Sequence, residues 1–295
     1  MLTRRGVVTQ IAAAAGLLAA GRVSAHATGF PDPLAATFAG LERESGGRLG
    51  IAMFDSRTGA RLSYQADRQF PMCSTVKLLI TGGVLARVDR GAERLGRRIR
   101  FAGSDLLAYS PVTKTHIGGA GMSLEELCAA ALMWSDNTAA NLLLDAIGGP
   151  AGLTAFARSL GDEVTRLDRK EPDLNEALPD DPRDTTTPAM MLADMQALVL
   201  GSALAPTSQA KLVAWLVANK TGDARLRAGL PKDWRVGDKT GSGGYGTTND
   251  VGIFWPPQRA PVLVAVYLTG SAASPEQRDA SIAAVGRAVA MALAE

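Results

Sequence analysis

The run Ser74-Thr75-Val76-Lys77-Leu78-Leu79-Ile80 begins an apolar segment whose helical spacing continues to Asp89. Residues three positions apart share one face of a helix, so this spacing places Lys77 one turn from Ser74. A serine hydroxyl is a weak nucleophile until a base removes its proton, and a lysine of lowered pKa can act as that base. The segment therefore predicts a helix that carries a nucleophile and a base in its first turn, where the helix N-terminus also stabilises developing negative charge.

Outward from this segment, the patterns indicate helices in the middle of the chain and strands towards both ends. Helices are predicted over 33–44, 74–89, 123–134, 137–147, 188–200, 206–218 and 277–294, and strands over 49–54, 61–65, 234–240, 251–255 and 261–269. Gly148-Gly149-Pro150 is predicted to stop the helix before it. We therefore predict an α/β fold of two lobes: an antiparallel sheet flanked by helices and built from both chain ends, and an all-helical middle lobe.

The predicted boundaries give a discontinuous α/β domain of residues 28–71 and 219–295 and an all-α domain of residues 72–218. Functional sites are often found in the cleft between two such lobes. Residues 166–187 form a long stretch without periodicity, rich in charges and prolines, and such loops inside compact domains often have a function.

Residues 1–27 have the pattern of an export signal. Arg4-Arg5 is followed by an apolar run and by Ala25-His26-Ala27, which is typical of a cleavage site. Thr3-Arg4-Arg5-Gly6-Val7-Val8 leaves the twin-arginine route open. We expect a periplasmic or secreted protein that has no membrane association once the leader is removed, and a monomer.

Charge and residue counts exclude several classes of function. The chain has 31 basic and 29 acidic side chains, and removing Arg4, Arg5 and Arg22 with the leader leaves 28 against 29. A net charge near −1 gives no electrostatic reason to expect a nucleic-acid partner. The two histidines are His26, in the leader, and His116, in a predicted surface loop. We therefore expect neither a metal site nor a cofactor, and a Ser–His–Asp hydrolase would depend on His116 alone.

Three patterns compete with Ser74 and Lys77 as sites of chemistry, and each has a simpler interpretation. Ser208-Gln209-Ala210-Lys211 repeats the spacing, but on an amphipathic helix where we expect a solvated face. Lys220-Thr221-Gly222 is typical of a helix end capped by its glycine. The glycines of Gly241-Ser242-Gly243-Gly244-Tyr245-Gly246 have the spacing of a dinucleotide loop but lead into a strand rather than the required helix.

Three further motifs follow Ser74 and Lys77 in order. Ser135-Asp136-Asn137 falls at a break between two helices, and Glu171-Pro172-Asp173-Leu174-Asn175 lies in the long irregular loop. Lys239-Thr240-Gly241 ends a strand, where the glycine allows a ligand to approach the backbone. Ser-x-x-Lys, Ser-Asp-Asn and Lys-Thr-Gly form a known catalytic signature. Over nearly all of its length after the leader, the chain resembles the class A serine β-lactamases.

This resemblance implies that the protein hydrolyses the amide bond of β-lactam antibiotics through a serine acyl-enzyme and confers resistance to them. Ser74 would be the nucleophile, Lys77 and Glu171 the alternative bases for acylation, and Ser135 the relay of a proton to the leaving nitrogen. Glu171 would activate the water of deacylation, which Asn175 helps to hold.

The resemblance also implies a substrate-binding set with separate tasks. Its members are Tyr109, Asn137, Asn175, Lys239, Thr240, Gly241, Ser242 and Arg225. Asn137 would contact the substrate's side-chain amide, whereas Lys239, Thr240 and Arg225 would face its carboxylate. Tyr109 would form an aromatic wall of the cleft, and the backbone N–H groups of Ser74 and Ser242 an oxyanion hole.

Two structural expectations complete the resemblance. Arg169 and Asp184 would clamp the loop that carries Glu171, and the Glu171–Pro172 bond would be cis. Some relatives have disulfides at the positions of Cys73 or Cys128, but the partner positions in this chain are Gly243 and Thr81. We therefore expect two free thiols, which weakens any inference to carbapenem hydrolysis.

Two other functions remain open at this point. A penicillin-binding D,D-peptidase would share three of the motifs but would lack the deacylation pair Glu171 and Asn175. A β-lactam sensor domain would be acylated without turnover, although sensors are normally tethered by membrane segments.

Overall fold

The computed structural model describes residues 33–294, so the predicted leader lies outside the described residues. The helices of this part are α1 (Pro33–Ser45), α2 (Val76–Asp89), α3 (Leu124–Met133), α4 (Asn137–Ala146), α5 (Gly149–Ser159), α6 (Pro188–Val199), α7 (Pro206–Val217), α8 (Leu226–Gly229) and α9 (Pro275–Ala294). The strands are β1 (Arg48–Asp55), β2 (Arg61–Tyr64), β3 (Phe70–Pro71), β4 (Arg98–Ile99), β5 (Met122–Ser123), β6 (Thr185–Thr186), β7 (Arg235–Ser242), β8 (Thr248–Trp255) and β9 (Val262–Thr269).

Five strands form one antiparallel sheet in the order β2-β1-β9-β8-β7. The N-terminal strand β1 pairs with the C-terminal strand β9, with Gly50 opposite Tyr267. All eight residues of β9 are buried, because helices cover both faces of the sheet at its centre. The predicted fold class, with a sheet built from both chain ends, is confirmed.

The two faces of the sheet have separate cores. On one face, α1 and α9 pack with Phe38, Ile51 and Val285 among the buried side chains. On the other face, residues such as Ala265 and Tyr267 join a larger cluster that continues into the helical region around α2. Residues 76–86 of α2 are all buried, so this helix lies at the centre of the larger core and holds the residues before it in a fixed position.

Local signals explain several of the element boundaries. Ser123 accepts a hydrogen bond from Glu126 N and receives the reciprocal contact of Glu126, so the predicted capping box begins α3. Asp136 caps α4 by accepting a hydrogen bond from Ala139 N at 2.9 Å. Strands β7 and β8 are longer than predicted, because the pairing of Ser242 with Thr248 extends the ladder into the glycine-rich turn.

One helix was not predicted, and two local predictions are wrong. Gly148-Gly149-Pro150 stops α4, but it also begins α5, which the sequence analysis did not predict. Gly222 does not cap α7, which ends at Val217; a side chain at 222 would instead overlap the carboxylate of Asp238. Ser208 does not lie on a solvated face: it is buried, and its Oγ donates to Asp89 Oδ1 at 2.6 Å.

Within residues 33–294, no helix is long and apolar enough to cross a membrane. The same region contains no group of three or more His, Cys, Asp or Glu side chains placed to hold a metal ion.

Candidate active site

Ser74 lies in a turn of 3-10 helix, Cys73–Thr75, that leads directly into α2. The turn is fixed by Thr75, whose Oγ1 donates to Met72 O at 2.7 Å and contacts the Tyr267 hydroxyl at 3.0 Å. Lys77 Nζ donates to Ser74 Oγ at 2.9 Å, which confirms the predicted contact across one turn. The hydroxyl of Ser74 thus stands at the start of a buried helix with an amine beside it.

The ammonium group of Lys77 is enclosed by oxygen atoms. Apart from Ser74 Oγ, it contacts Ser135 O at 2.8 Å, Ser135 Oγ at 3.3 Å, Asn137 Oδ1 at 2.6 Å and Glu171 Oε1 at 2.8 Å. Burial lowers the pKa of Lys77, while the negative charge of Glu171 acts in the opposite direction. A lysine in this environment can lose and regain a proton more easily than a solvated one.

Ser135 lies between two lysines. Its backbone is in the left-handed region, with φ of 56°, at the break between α3 and α4. Lys239 Nζ, from β7, donates to Ser135 Oγ at 3.0 Å, so the hydroxyl contacts both Lys239 and Lys77. Burial and the charge of Lys77 lower the pKa of Lys239 well below its usual value. Ser135 can therefore exchange a proton with the groups around its hydroxyl.

The irregular loop brings Glu171 against Ser74. Glu171 is 4% exposed, and its Oε1 accepts a long hydrogen bond of 3.4 Å from Ser74 Oγ. Its other oxygen, Oε2, accepts from Asn175 Nδ2. Asn141 on α4 holds the backbone of Glu171 from both sides, since its Nδ2 donates to Glu171 O at 2.9 Å and its Oδ1 accepts from Glu171 N at 3.0 Å. The Glu171–Pro172 bond is cis, as expected.

The expected clamp on this loop is present. Asp184 is buried and accepts hydrogen bonds from Asp168 N at 2.8 Å, Arg169 N at 2.9 Å and Arg169 Nε at 2.6 Å. Asp184 O accepts from Met72 N at 2.9 Å. The two ends of the loop are thereby tied to each other and to the segment before Ser74.

The end of β7 forms part of the wall of the site. A Cβ atom at Gly241 would lie 2.8 Å from Met72 O, so the strand approaches the nucleophile's turn this closely because Gly241 has no side chain. Arg225 crosses the same end of the strand, donating to Gly241 O at 2.8 Å and to Ser242 Oγ at 2.7 Å. Asp279 on α9 holds Arg225 Nε at 2.7 Å.

These elements enclose a cavity of about 310 Å³. Its lining consists of Ser74, Tyr109, Ser135, Asn137, Asn175, Thr221, Arg225, Thr240, Gly241 and Ser242. Lys77, Glu171 and Lys239 lie directly beneath this lining, and the ring of Tyr109 is 50% exposed at its edge. A hydroxyl, two lysines, a carboxylate and strand-edge backbone amides around one cavity are the groups needed for acyl transfer.

Some residues of the site were not predicted. Asn141, Thr221 and Asp279 act on Glu171, Thr240 and Arg225 from distant parts of the sequence. Asn141 and Asp279 belong to segments whose local pattern is ordinary, whereas Thr221 belongs to Lys220-Thr221-Gly222, which was interpreted as a helix end. Arg169 and Asp184 do not line the cavity but act through the loop, as expected.

Both thiols are buried and unbonded. Burial raises the pKa of Cys73 and of Cys128 above the ordinary value. A Cβ atom at Gly243 would lie 2.5 Å from Cys73 Sγ, so this glycine is the position that would face Cys73. The expectation of two free thiols is confirmed.

The chain is similar to β-lactamases both in its sequence and in its structure. A family model described as the beta-lactamase enzyme family matches residues 33–293. The chain is 46% identical over 286 residues to the β-lactamase Toho-1 of Escherichia coli, with 97% of each chain covered. It is 49% identical over 251 residues to β-lactamase CTX-M-8 of Citrobacter amalonaticus, covering 85% of this chain and 86% of that one.

Solved structures give the same result. The chain is similar to an ancestral class A β-lactamase (GNCA), with a TM-score of 0.87, 64% identity and coverage of 88% and 99% of the two chains. The putative class A β-lactamase PenP of Rhodopseudomonas palustris is 59% identical, with a TM-score of 0.87 and coverage of 88% and 100%.

Proposed function

Since this chain belongs to the class A β-lactamases and hydrolyses the β-lactam ring of antibiotics, we propose how its own residues divide that reaction. Ser74 is the nucleophile, Lys77 and Glu171 exchange its proton, Ser135 delivers a proton to the ring nitrogen, and Glu171 activates the water. One observation carries the proposal: Glu171 Oε1 lies 2.8 Å from Lys77 Nζ and 3.4 Å from Ser74 Oγ in a single buried group.

Acylation begins with a proton shift between the two bases. Lys77 passes a proton to Glu171 over their 2.8 Å contact, and the neutral amine then accepts the proton of Ser74, 2.9 Å away. Ser74 Oγ attacks the lactam carbonyl carbon, and the oxyanion that forms is held by the backbone N–H groups of Ser74 and Ser242. Each such donor typically contributes about 3 kcal/mol to stabilising the transition state.

Ring opening requires a proton at the leaving nitrogen. Ser135 Oγ donates its proton to the nitrogen as the C–N bond breaks, and it regains one from Lys77, 3.3 Å away. Lys77 then recovers its proton from Glu171, which restores the carboxylate. The product of this stage is an ester between Ser74 Oγ and the former lactam carbonyl, with the ring nitrogen as a neutral amine.

Deacylation uses the same carboxylate. Glu171, oriented by Asn175 and by the two backbone contacts of Asn141, removes a proton from a water that attacks the ester. The ester C–O bond breaks, and the proton returns to Ser74 Oγ. In the resting enzyme, Lys239, Thr240 and Arg225 hold the end of the cavity to which we assign the substrate's carboxylate, and Asn137 and Tyr109 form its opposite side.

Turnover distinguishes this function from its two alternatives. The purified mature protein is expected to hydrolyse a chromogenic cephalosporin through many cycles at each site. A D,D-peptidase or a sensor domain would give one stoichiometric burst of product and then stop, because neither has a carboxylate placed to activate the second nucleophile.

The role of Glu171 is tested by Glu171→Gln, which keeps the shape of the side chain but cannot accept a proton from water. The variant is expected to accumulate a covalent adduct on Ser74, detected by mass spectrometry, and to lose about 10²–10⁴-fold in kcat. Glu163→Gln is the control, because Glu163 is 82% exposed and pairs only loosely with Arg158. Wild-type turnover in the Glu171 variant would remove this residue from the reaction.

Export and assembly form the rest of the proposal. Class A β-lactamases are exported enzymes, and the pattern of residues 1–27 supports a cleaved leader. Thr3-Arg4-Arg5-Gly6-Val7-Val8 supports the twin-arginine route, which replacing both arginines by lysine should block. We propose a monomer that acts on its small-molecule substrate without a second subunit.

A further inference from the structure

A chain of polar groups begins at the cavity wall with Thr240 and Thr221 and continues into the protein through Asn219 to Asp238. Thr240 Oγ1 lies 2.5 Å from Thr221 Oγ1, which lies 2.9 Å from Asn219 Oδ1. Asn219 Nδ2 in turn donates to Asp238 Oδ2 at 2.8 Å. Thr240 is only 5% exposed and Asn219 4%, so these groups depend on one another for hydrogen bonds.

The direction of each hydrogen bond in this chain follows from one fixed donor. The backbone N–H of Thr221 donates to Asn219 at 3.0 Å, so the side-chain atom that it contacts is the amide oxygen, Oδ1. An amide oxygen only accepts, so the Thr221 hydroxyl must donate its single hydrogen to it. Thr221 Oγ1 then has no hydrogen left to donate and can only accept from Thr240. The hydroxyl of Thr240 must therefore be the donor in their hydrogen bond.

The hydroxyl of Thr240 therefore points its hydrogen along the cavity wall at Thr221, rather than into the open space of the cavity, in the resting enzyme. The side of Thr240 Oγ1 that faces the cavity carries lone pairs, which repel a carboxylate. A substrate carboxylate can be bound by this hydroxyl only after its hydrogen has been turned towards the cavity.

We propose that Thr221 is a positioning residue whose hydroxyl reverses direction when the substrate carboxylate binds. This inference rests on the proposed contact between Thr240 and that carboxylate. As Thr240 turns its hydrogen to the carboxylate, Thr221 turns its own hydrogen from Asn219 Oδ1 to Thr240 Oγ1. No proton is transferred from one oxygen atom to another, and Asn219 Oδ1 still accepts the hydrogen bond from the backbone N–H of Thr221.

The reversal replaces two hydrogen bonds by two others. The resting enzyme has Thr240 to Thr221 and Thr221 to Asn219; the complex has Thr221 to Thr240 and Thr240 to the carboxylate. The last is charge-assisted and stronger than a neutral one, so the reversal is favourable with a carboxylate. The reversal nevertheless breaks the neutral hydrogen bond from the Thr221 hydroxyl to Asn219 Oδ1. Because this hydrogen bond is lost on binding, the wild-type enzyme binds its substrate more weakly than an enzyme that lacks the bond.

The kinetic test compares Thr221→Ala with Thr221→Ser. In Thr221→Ala, Thr240 has no buried acceptor, so its hydrogen is free for the substrate. We expect kcat/KM for a β-lactam carboxylate to rise about fivefold through a lower KM, the change given by one neutral hydrogen bond of about 1 kcal/mol, with kcat unchanged. Thr221→Ser keeps the hydroxyl and should stay within about twofold of the wild type.

If Thr221 has only a structural role, the alanine variant should change kcat/KM in the opposite direction. If Thr221 only packs against β7, the alanine variant should loosen the site, raise KM and lower kcat, and that outcome would overturn the proposal. An alanine variant with unchanged kinetics would overturn it as well.

Two further measurements separate this inference from the function on which it rests. Thr240→Val should lower kcat/KM at least about tenfold if the hydroxyl binds the carboxylate; no effect would refute that contact.

A neutron structure of the free enzyme should show the Thr240 hydroxyl deuterium directed at Thr221 Oγ1. A deuterium directed into the cavity would refute the resting arrangement even if the enzyme turns over substrate normally.

Discussion

Two serine–lysine pairs with the same spacing have different surroundings in the folded protein. Ser74 and Lys77 share their pocket with a carboxylate and a second hydroxyl. Ser208 is bound to Asp89, and Lys211 reaches Glu125 on another helix, so the two do not act on each other. The motif alone does not distinguish them; the distinction comes from residues that the fold brings in from elsewhere.

Replacing each serine by alanine tests this difference. Ser74→Ala should abolish both turnover and the covalent adduct seen by mass spectrometry, because no other hydroxyl lies at that position. Ser208→Ala should leave turnover unchanged but lower the free energy of unfolding by about 1 kcal/mol, since the carboxylate of Asp89 loses a buried donor. Adduct formation in the Ser74 variant would show that the nucleophile lies elsewhere.

At the scale of helices and strands, the sequence predicted most elements and failed where one signal has two meanings. Gly148 has φ of 100° and Pro150 stands in the first turn of α5, so the same three residues end one helix and begin the next. A helix stop and a helix start have similar composition, and only packing shows that the chain continues as a helix. The strands at both chain ends could be predicted, because their apolar runs are long and lie between clear turns.

Asp194 on α6 links two elements through a buried acid pair. Its side chain is 1% exposed and shares a hydrogen bond with Asp162, beyond the end of α5, to which the protonated carboxyl group of Asp194 can donate. Burial, with the neighbouring charge of Asp162, raises the pKa of Asp194 to about 9, against the weaker effect of Arg158. Asp194 is therefore protonated in the folded enzyme at neutral pH.

This raised pKa makes stability depend on pH. The unfolded chain releases the Asp194 proton near pH 4, so the stabilisation is full below that pH and is lost as pH rises towards 9. Asp194→Asn should flatten the curve of unfolding free energy against pH over this range, by up to about 1.4 kcal/mol per pH unit. Urea titrations at several pH values measure this, with the exposed Asp145→Asn as control. Parallel wild-type and Asp194→Asn curves would contradict the assignment.

At the scale of the whole molecule, the larger core does not stop at the predicted domain boundary. It contains Leu79 and Leu143 from the helical region together with Ile253 and Ala265 from the sheet. We propose that residues 28–71 with 219–295 and residues 72–218 are two lobes of one cooperative unit. The helical and strand-rich regions could be predicted from element patterns, whereas the shared core depends on contacts between residues far apart in sequence.

Calorimetry tests this cooperativity. Because one continuous core joins the helices to the sheet, we expect a single unfolding transition whose calorimetric enthalpy equals its van't Hoff enthalpy. Two resolved transitions, or a calorimetric enthalpy clearly above the van't Hoff value, would show that the lobes unfold separately.

The same dependence on distant contacts explains what the sequence could not predict about the site. The serine, lysine and glutamate motifs are local patterns, and the residues that carry them do lie together. The roles of Asn141 and Thr221 do not follow from their neighbours in sequence, because they reach Glu171 and Thr240 only where α4 and the segment after α7 are folded against them. The catalytic roles of these residues remain predictions.

The two buried, unbonded thiols have a consequence for how the protein folds and is exported. No covalent cross-link has to form between Cys73 and Cys128 before the native state is reached. Folding therefore does not require glutathione or thiol oxidases, and the polypeptide can acquire the same shape before or after export. The transport machinery, and not the formation of a disulfide, therefore determines whether the chain folds before or after translocation.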